Sequence, residues 1–497
     1  MKSDMSTFAL KQPNDQPNKW LIALLVALFI CRLWTLGPLH LALFYDEAYY
    51  HFWATHLDFG YYSKPPLVAW LIALSTGIFG HSHEWAVRLT SPLLYAGAAF
   101  FVYRLGKTLY NSQVGLWAAL IFYSSPLVTF NSIFITTDAP LLFFWALTSW
   151  LFVCALRTQK LSWWTLCGLS AGLGLLSKYT MAVLILGLAV YFILQKAYPR
   201  AGKGPWIALL LALAVFSPNL WWNAQYGFIS FVHTAQISKL EEQLFHFNKF
   251  FEFLGSQFLV FGPIAMALLF AYSLRLKREK DGLLLFAISW PLLLVMFVQA
   301  FLSHANANWA APVYLGASLI VAAGLVRHQA NKLIGTLVGI NIALAVLLFS
   351  YPSIQRALSI QPSSHNTPYR RVLGWRELMT NIKEKYPQAS QMNWISGSRM
   401  LLSYANYYLS DWPHHQAVKV FSFNPSRQID DQFELRYDVA NSHQTNFVFI
   451  TQIPRQLQGC FKTSKLLGKV GQTTYPLLKR TVYLYQVTGF QGYEHCH

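Results

Sequence analysis

Several side chains whose chemistry suits catalysis lie in short segments between long apolar stretches. The first such segment contains the adjacent acids Asp46 and Glu47, and Lys64 follows directly before Pro65 and Pro66. A carboxylate can accept a proton from an attacking hydroxyl, and a lysine can neutralise a phosphate leaving group. Both residue types also have structural explanations, because an acid caps the start of a helix and a lysine beside a membrane extends toward the head groups.

Three later segments add candidates of the same kind. Asp138 follows two threonines, Lys178 ends an apolar stretch, and a polar run after the next long apolar stretches contains His304. Each of these residues alone is explained as a helix cap or surface group, but polar side chains beside a membrane are costly and concentrate at functional sites. The candidate catalytic residues are therefore Asp46, Glu47 and Asp138, and the candidate substrate-binding residues are Tyr50, Lys64, Arg88, Lys178, His304, Asn306 and Asn308.

The composition identifies the elements that must position these residues. The 497 residues are 55% hydrophobic and only 12% charged, and the apolar residues form blocks near the length that crosses a bilayer. The formal charge of +18 lies mostly between these blocks, so it does not indicate a nucleic acid partner. The pattern predicts a polytopic α-helical membrane protein with about eleven spans at residues 20–37, 86–105, 114–132, 139–156, 161–176, 180–195, 206–222, 251–273, 283–302, 309–326 and 333–350.

The charges between the blocks predict the orientation of the chain. The segment Pro66–Gly80 is short for a span, and treating it as a juxtamembrane helix leaves most cations on one side, as the positive-inside rule requires. The tail 1–19 is then cytoplasmic, and the candidate residues face outside. The inner set is Arg104, Lys107, Arg157, Lys160, Lys196, Arg200, Lys203, Arg275, Lys277, Arg278, Lys280, Arg327 and Lys332; the outer set is Lys64, Arg88, Lys178, Lys239 and Lys249.

The chain becomes polar after the last block. We predict a transmembrane domain over 20–351 and a small extracytoplasmic α/β domain over 352–497, with helices at Gly374–Tyr386 and Arg399–Leu409 and strands at Gln391–Ile395, Val418–Phe423, Asn446–Thr451 and Val482–Thr488. No catalytic triad or metal-ligand cluster is evident in this region. An oxidising compartment favours a Cys460–Cys496 disulfide, although the sequence equally allows two free thiols.

The first-segment motif Tyr45-Asp46-Glu47, followed by Lys64-Pro65-Pro66-Leu67, Arg88 and Thr137-Asp138, resembles the GT-C membrane glycosyltransferases. More narrowly, it resembles the bacterial branch related to protein O-mannosyltransferases and to the aminoarabinose and galacturonic acid transferases of lipid A. The resemblance covers roughly residues 20–350 and implies a multi-pass protein of the bacterial inner membrane that acts in envelope biogenesis. The donor would be a polyprenyl-phosphate sugar, and the acceptor lipid A, lipopolysaccharide, another glycan or a protein.

The resemblance also implies roles for individual residues. Asp46 matches the general base, Glu47 is its neighbour in the motif, Lys64 matches the lysine that contacts the donor phosphate, and Asp138 matches a carboxylate near the site. Arg88, Lys178 and His304 are added by their location. A divalent cation, Mg or Mn, at the three acids is one expectation, and metal-free catalysis by cationic side chains is equally compatible. The run HANANW at 304–309 is not the basic sequence expected of a close aminoarabinose transferase relative, so sugar and acceptor stay open.

Two other classes of protein fit part of this pattern. A transporter or flippase of envelope lipids or glycans would place polar residues near the bilayer midplane and would show repeated halves. Here the polar candidates cluster at the outer edge, and no halves are evident in the sequence. A non-enzymatic envelope scaffold is the second alternative, and an assay for sugar transfer distinguishes it from an enzyme.

Overall fold

The computed structural model describes residues 16–37, 39, 41–195, 202–237, 245–275, 281–414 and 416–496. Most of the predicted tail lies outside these residues, and so do six of the loop cations that predict the orientation. These six are Lys196, Arg200, Lys239, Lys277, Arg278 and Lys280.

Helices occupy every apolar block that the sequence predicts to cross the membrane. They cover Lys19–Thr35, Glu84–Arg88, Thr90–Leu109, Ser112–Ser124, Pro126–Asn131, Asp138–Thr158, Leu161–Ser177, Met181–Leu194, Gly204–Gln225, Phe247–Phe261, Pro263–Ser273, Gly282–Leu302, Val313–Arg327 and Asn331–Ala357. Within the described ranges, five helices are long and apolar enough to span a membrane, or six if one bent pair is counted as a single span. The fold is thus a helical membrane architecture, while the count of eleven spans is not established by helix length.

One predicted span differs in shape from the prediction. The block 251–273 forms two helices, Phe247–Phe261 and Pro263–Ser273, which meet at an angle of 108°. The break occurs at Gly262, whose φ of +103° is disfavoured for residues with a side chain, and Pro263 follows as the first residue of the next helix. Periodicity and hydropathy alone do not register such a turn, because the residues on both sides are apolar.

The segments predicted to face outside, called the outer segments below, carry the candidate residues on short helices. Tyr45–Ala54 and Leu67–Phe79 are helical, as the acids and the Pro-Pro pair predict, and Ile229–Ile237 forms a further short helix. The helix Leu67–Phe79 starts directly after Pro66 and is only 13 residues long, about 20 Å. Lys64 is therefore held three residues before a helix whose start is fixed by proline.

The C-terminal region contains a five-stranded sheet with helices Trp375–Lys385, Arg399–Tyr404 and Gln432–Arg436. The strands are β1 (Asn393–Ser396), β2 (Lys419–Ser422), β3 (Asn446–Thr451), β4 (Phe461–Gly471) and β5 (Thr481–Phe490), in the order β2-β1-β3-β5-β4. β1 is parallel to β2 and β3, whereas β5 is antiparallel to β3 and β4. The sequence did not predict β4, an edge strand with a bulge near Gly468 and mostly exposed side chains, because it lacks the usual alternation.

The two regions pack against each other through polar contacts. The last long helix continues to Ala357, past the predicted boundary at 351/352, with Pro352 inside it. The phenol of Tyr408 accepts a hydrogen bond from the Leu43 amide at 2.7 Å, and Arg376 pairs with Glu84. The predicted Cys460–Cys496 disulfide is confirmed. The sheet domain therefore lies directly over the outer segments.

Candidate active site

A cavity of about 660 Å³ lies where the outer segments meet the C-terminal region. Its wall combines carboxylates, cations, amides and aromatic rings. From the sequence candidates, the structure brings seven residues to this wall: Asp46, Tyr50, Lys64, Asp138, Lys178, Asn306 and Asn308. These residues come from four separate outer segments, so the cavity exists only in the folded chain.

Asp46 projects from the first turn of the helix Tyr45–Ala54 into the cavity wall. Its carboxylate is 30% exposed, and Arg399 approaches it with a single contact of 3.5 Å. Burial raises the pKa of Asp46, and the positive charges of Arg399 and Lys64 lower it in part. A raised pKa makes the ionised carboxylate a stronger base, which is the property that proton abstraction requires.

Lys64 lines the same wall, and its ammonium makes no hydrogen bond or ion pair within the described parts of the chain. Burial and the nearby charge of Lys178 lower the pKa of Lys64 to about 8, although Asp46 and Asp138 act in the opposite direction. A half-buried ammonium without a partner is costly in the empty protein, so an anionic ligand would relieve it.

Asp138 is held by two partners on the cavity wall. Lys178 lies 2.7 Å from its Oδ1 atom, and the Asn308 amide donates to Oδ2 at 2.8 Å. The carboxylate is 3% exposed, and it also opens the helix Asp138–Thr158, where a negative charge is favoured by the helix dipole. Asp138 therefore orients Lys178 and Asn308 on the cavity wall.

Glu47 and Arg88, predicted as a catalytic and a substrate-binding residue, lie outside the cavity wall. Glu47 is fully buried and pairs with Arg88 at 2.7 Å. Its carboxylate also accepts hydrogen bonds from the backbone amides of Phe44 at 2.8 Å and Ile135 at 2.9 Å. The pair thus ties the start of the Asp46 helix to the segment that leads into Asp138, and its role is to position these two acids.

His304 is also absent from the cavity wall. It is exposed at the end of its loop, and its ring packs against Trp309 with centroids 5.6 Å apart. The neighbouring residues Asn306 and Asn308 do face the cavity, because the short 3-10 helix Ala307–Ala310 turns the loop inward. The polar run is therefore part of the site, but without its histidine.

The sequence analysis missed residues that the C-terminal region supplies. Arg371 lines the cavity, and Arg399 lies behind Asp46 with its guanidinium 5.0 Å from the centre of the Tyr49 ring. Neither lies in a motif, and each is more than 300 residues from Asp46 in the chain. No local signal could have found them, since only tertiary packing brings them to the site.

The side chains do not fit a resident divalent cation. No group of three or more His, Cys, Asp or Glu side chains is placed to hold a metal ion in the part of the chain that the structure describes. Of the three acids expected to hold Mg or Mn, Glu47 is buried against Arg88 and Asp138 is engaged by Lys178 and Asn308. Asp46 is the one of these three acids without a close ion pair, whereas hard cations take several oxygen ligands.

Comparison with known proteins gives consistent matches. Residues 63–222 match the family described as dolichyl-phosphate-mannose-protein mannosyltransferase. The chain is 30% identical over 399 residues to lipid A galacturonosyltransferase RgtD of Rhizobium johnstonii, covering 80% of this chain and 84% of that protein. It is 28% identical over 284 residues to undecaprenyl phosphate-alpha-4-amino-4-deoxy-L-arabinose arabinosyl transferase 2 of Proteus mirabilis, covering 52% of this chain and 48% of that one.

A solved structure shares the fold over nearly the whole chain. ArnT from Cupriavidus metallidurans bound to undecaprenyl phosphate has a TM-score of 0.64 at 14% identity, and the match covers 94% of this chain and 97% of that one. The similarity includes the C-terminal region as well as the helices, because nearly all of both chains is covered.

Proposed function

This chain belongs to the GT-C membrane glycosyltransferases, in the family of lipid A galacturonosyltransferase RgtD, and from that premise we propose how its cavity transfers a sugar. The enzyme moves a sugar from a polyprenyl-phosphate donor to an envelope acceptor. Lipid A is the acceptor we propose, because RgtD, which matches this chain over 399 residues, is a lipid A galacturonosyltransferase.

The observation that carries the mechanism is the placement of Asp46 and Lys64 on one cavity wall, each with unused bonding capacity. Asp46 takes the proton of the acceptor hydroxyl, whose oxygen forms a new bond to the anomeric carbon of the sugar. The bond from that carbon to the phosphate oxygen breaks, and the phosphate leaves with the electron pair. Lys64 stabilises the charge that develops on the phosphate, and the displacement inverts the anomeric configuration.

The remaining wall residues bind and orient the substrates in this proposal. Asn306, Asn308 and Tyr50 provide hydrogen-bonding groups for sugar hydroxyls, and Asp138 holds Lys178 toward the cavity. The reaction needs no resident metal, because cationic side chains carry the charge of the leaving phosphate. Turnover that is unchanged after chelation of divalent cations is expected, and turnover restored only by Mg or Mn would contradict this point.

The transfer itself is tested with purified protein. A radiolabelled polyprenyl-phosphate sugar is mixed with lipid A, and the label should appear in lipid A with release of the carrier phosphate. Movement of unchanged donor across sealed vesicles, without label in any acceptor, would instead identify a flippase. Mass spectrometry of lipids and glycans from a deletion strain should show which glycoconjugate loses its sugar.

We also propose that the chain crosses the membrane eleven times, with the tail cytoplasmic and residues 352–497 periplasmic. The coincidence of helices with the eleven apolar blocks supports this orientation together with the loop charges. In the helix Ile229–Ile237, Ser230 is buried and donates to the Tyr61 carbonyl at 2.7 Å, whereas Ala235 is exposed and suits labelling from outside. In a background without free cysteines, Ala235→Cys should react from outside and Lys203→Cys from inside; reaction from one side for both would contradict the topology.

A further inference from the structure

The segment between the last long helix and the sheet domain forms part of the cavity wall. Pro368, Tyr369, Arg371 and Val372 line the cavity. Tyr369 is 1% exposed and donates its hydroxyl hydrogen to the Leu348 carbonyl at 2.9 Å, which anchors the segment to the long helix Asn331–Ala357. The wall at this point is therefore held by a buried aromatic side chain and is not a loose linker.

A second contact fixes the backbone on both sides of Arg371. Arg480, at the start of β5, donates to the Arg370 carbonyl at 2.6 Å and to the Leu373 carbonyl at 3.4 Å. The guanidinium of Arg480 is itself packed over the Trp375 ring, 4.7 Å from its centre. Arg371 is thus presented from a backbone that is restrained before any ligand arrives, which lowers the entropy lost on binding.

Arg371 is exposed, and its charge acts on Asp46 and Tyr45 without a direct ion pair. Lys178 is paired with Asp138, and Arg399 is the cation nearest to Asp46. Within the described residues, Lys64 and Arg371 are the cavity-lining cations whose side chains make no ion pair or hydrogen bond. A polyprenyl-phosphate donor carries one negative charge at its phosphodiester, and Lys64 already matches that charge.

We infer that Arg371 is a substrate-binding residue. It recognises an oxyanion, either a carboxylate or a phosphate, on one of the molecules that bind in this cavity. A guanidinium suits this task because its planar array of donors matches both groups in a bidentate arrangement. The inference rests on the proposed function and extends it to the C-terminal region, which supplies a ligand-binding side chain to the site. The oxyanion has three sources: the carrier phosphate, an acid group on the transferred sugar, or a phosphate of the acceptor.

Arg371→Ala, Arg371→Lys and Arg370→Ala of the full-length protein test the inference. Arg370 is the matched control, because it is the neighbouring arginine and donates to the Ser364 carbonyl at 2.8 Å away from the cavity wall. Binding of undecaprenyl phosphate is measured directly, and KM is measured for a donor with a uronic acid, for a donor with a neutral sugar and for lipid A. Equal thermal unfolding midpoints for the variants show that they are folded.

Arg371→Ala should weaken one of these interactions by about 10-fold to 100-fold, the range expected for a lost charge-assisted bond, with a smaller loss in Arg371→Lys. A loss for undecaprenyl phosphate together with both donors identifies the carrier phosphate. A loss confined to the uronic acid donor identifies the sugar, and a raised KM for lipid A alone identifies the acceptor. The inference is overturned if Arg371→Ala gives the same values as wild type in all four measurements, as the control Arg370→Ala is expected to do. Absence of any transfer by the wild type would instead overturn the proposed function.

Discussion

Asp46 and Glu47 are neighbours in the chain, yet they belong to two regions with opposite electrostatic properties. We call the first region the reactive wall, formed by Asp46 and Lys64, and the second the buried anchor, formed by Glu47 and Arg88. On the reactive wall the charged groups retain free bonding positions, whereas Glu47 accepts from Arg88 and from two backbone amides. Asp46 and Glu47 are both acids, so residue type does not separate their roles. The difference is that the Asp46 carboxylate can still accept hydrogen bonds in the folded protein, whereas the Glu47 carboxylate is already fully engaged.

The largest effect is expected from removing the proton acceptor of the reactive wall. Asp46→Asn keeps the shape of the side chain and should lower kcat by about 10²–10⁴, with donor binding largely retained. Asp58→Asn is the matched control, because Asp58 is an acid of the same outer segment that pairs with Arg436 at 2.6 Å. Normal kcat in Asp46→Asn together with an inactive but folded Glu47→Gln would reverse the roles of the two regions.

The second prediction concerns the buried anchor and is a loss of stability. Glu47→Gln leaves the Arg88 charge buried without its counter-ion, so the free energy of unfolding should fall by about 3–5 kcal/mol. Glu84→Gln breaks a more exposed pair, in which Glu84 is 17% and Arg376 30% exposed, and should cost less. The unfolding midpoints of the two variants in detergent report these losses of stability. Equal losses in Glu47→Gln and Glu84→Gln would contradict the distinction between the buried pair and the more exposed one.

The third prediction addresses the cation of the reactive wall and its pH dependence. Lys64 must be protonated to bind a phosphate, and its pKa near 8 places the loss of charge just above neutral pH. In wild type, kcat/KM should therefore fall as pH rises through about 8, because this ratio reports ionisation of the free enzyme. Lys64→Arg should shift the fall to higher pH, and Lys64→Ala should raise donor KM by about 10-fold to 100-fold.

An unchanged alkaline limb in Lys64→Arg would assign the titration to another group. Unchanged donor KM in Lys64→Ala would exclude Lys64 from phosphate binding. Either result would show that the reactive wall is incorrectly defined, without affecting the buried anchor.

The smallest effect is expected for Asn308, which lines the cavity and also donates a hydrogen bond to Asp138. Asn308→Ala removes one of the two partners of Asp138 but leaves Lys178 in place. A single hydrogen bond to a charged group contributes about 1.5–3 kcal/mol in total, and the remaining ion pair should hold the loss in kcat/KM to about 10-fold. His304→Ala is the control from the same loop, since His304 lies outside the cavity wall; an equal loss in both variants would assign the effect to the loop backbone.

Much of the helical framework could be predicted from local sequence. The apolar blocks predicted helices because a span must satisfy its backbone hydrogen bonds internally. The acids at 46–47 predicted the start of the helix Tyr45–Ala54, and Pro65-Pro66 predicted the start of the helix Leu67–Phe79. The break at Gly262 and the edge strand β4 could not be predicted in the same way, because the first lies within an uninterrupted apolar block and the second has one weakly buried face.

The sequence by itself determined the membrane class, the glycosyltransferase resemblance and the short set of acids and cations from which the site is built. The tertiary structure decided which members of that set are available to a ligand. It buried Glu47 against Arg88, engaged Asp138 with Lys178, turned His304 outward and brought Arg371 and Arg399 from the C-terminal region to Asp46. The physical reason is that charge compensation depends on distances of a few ångströms between residues far apart in the chain, and local sequence carries no record of those distances.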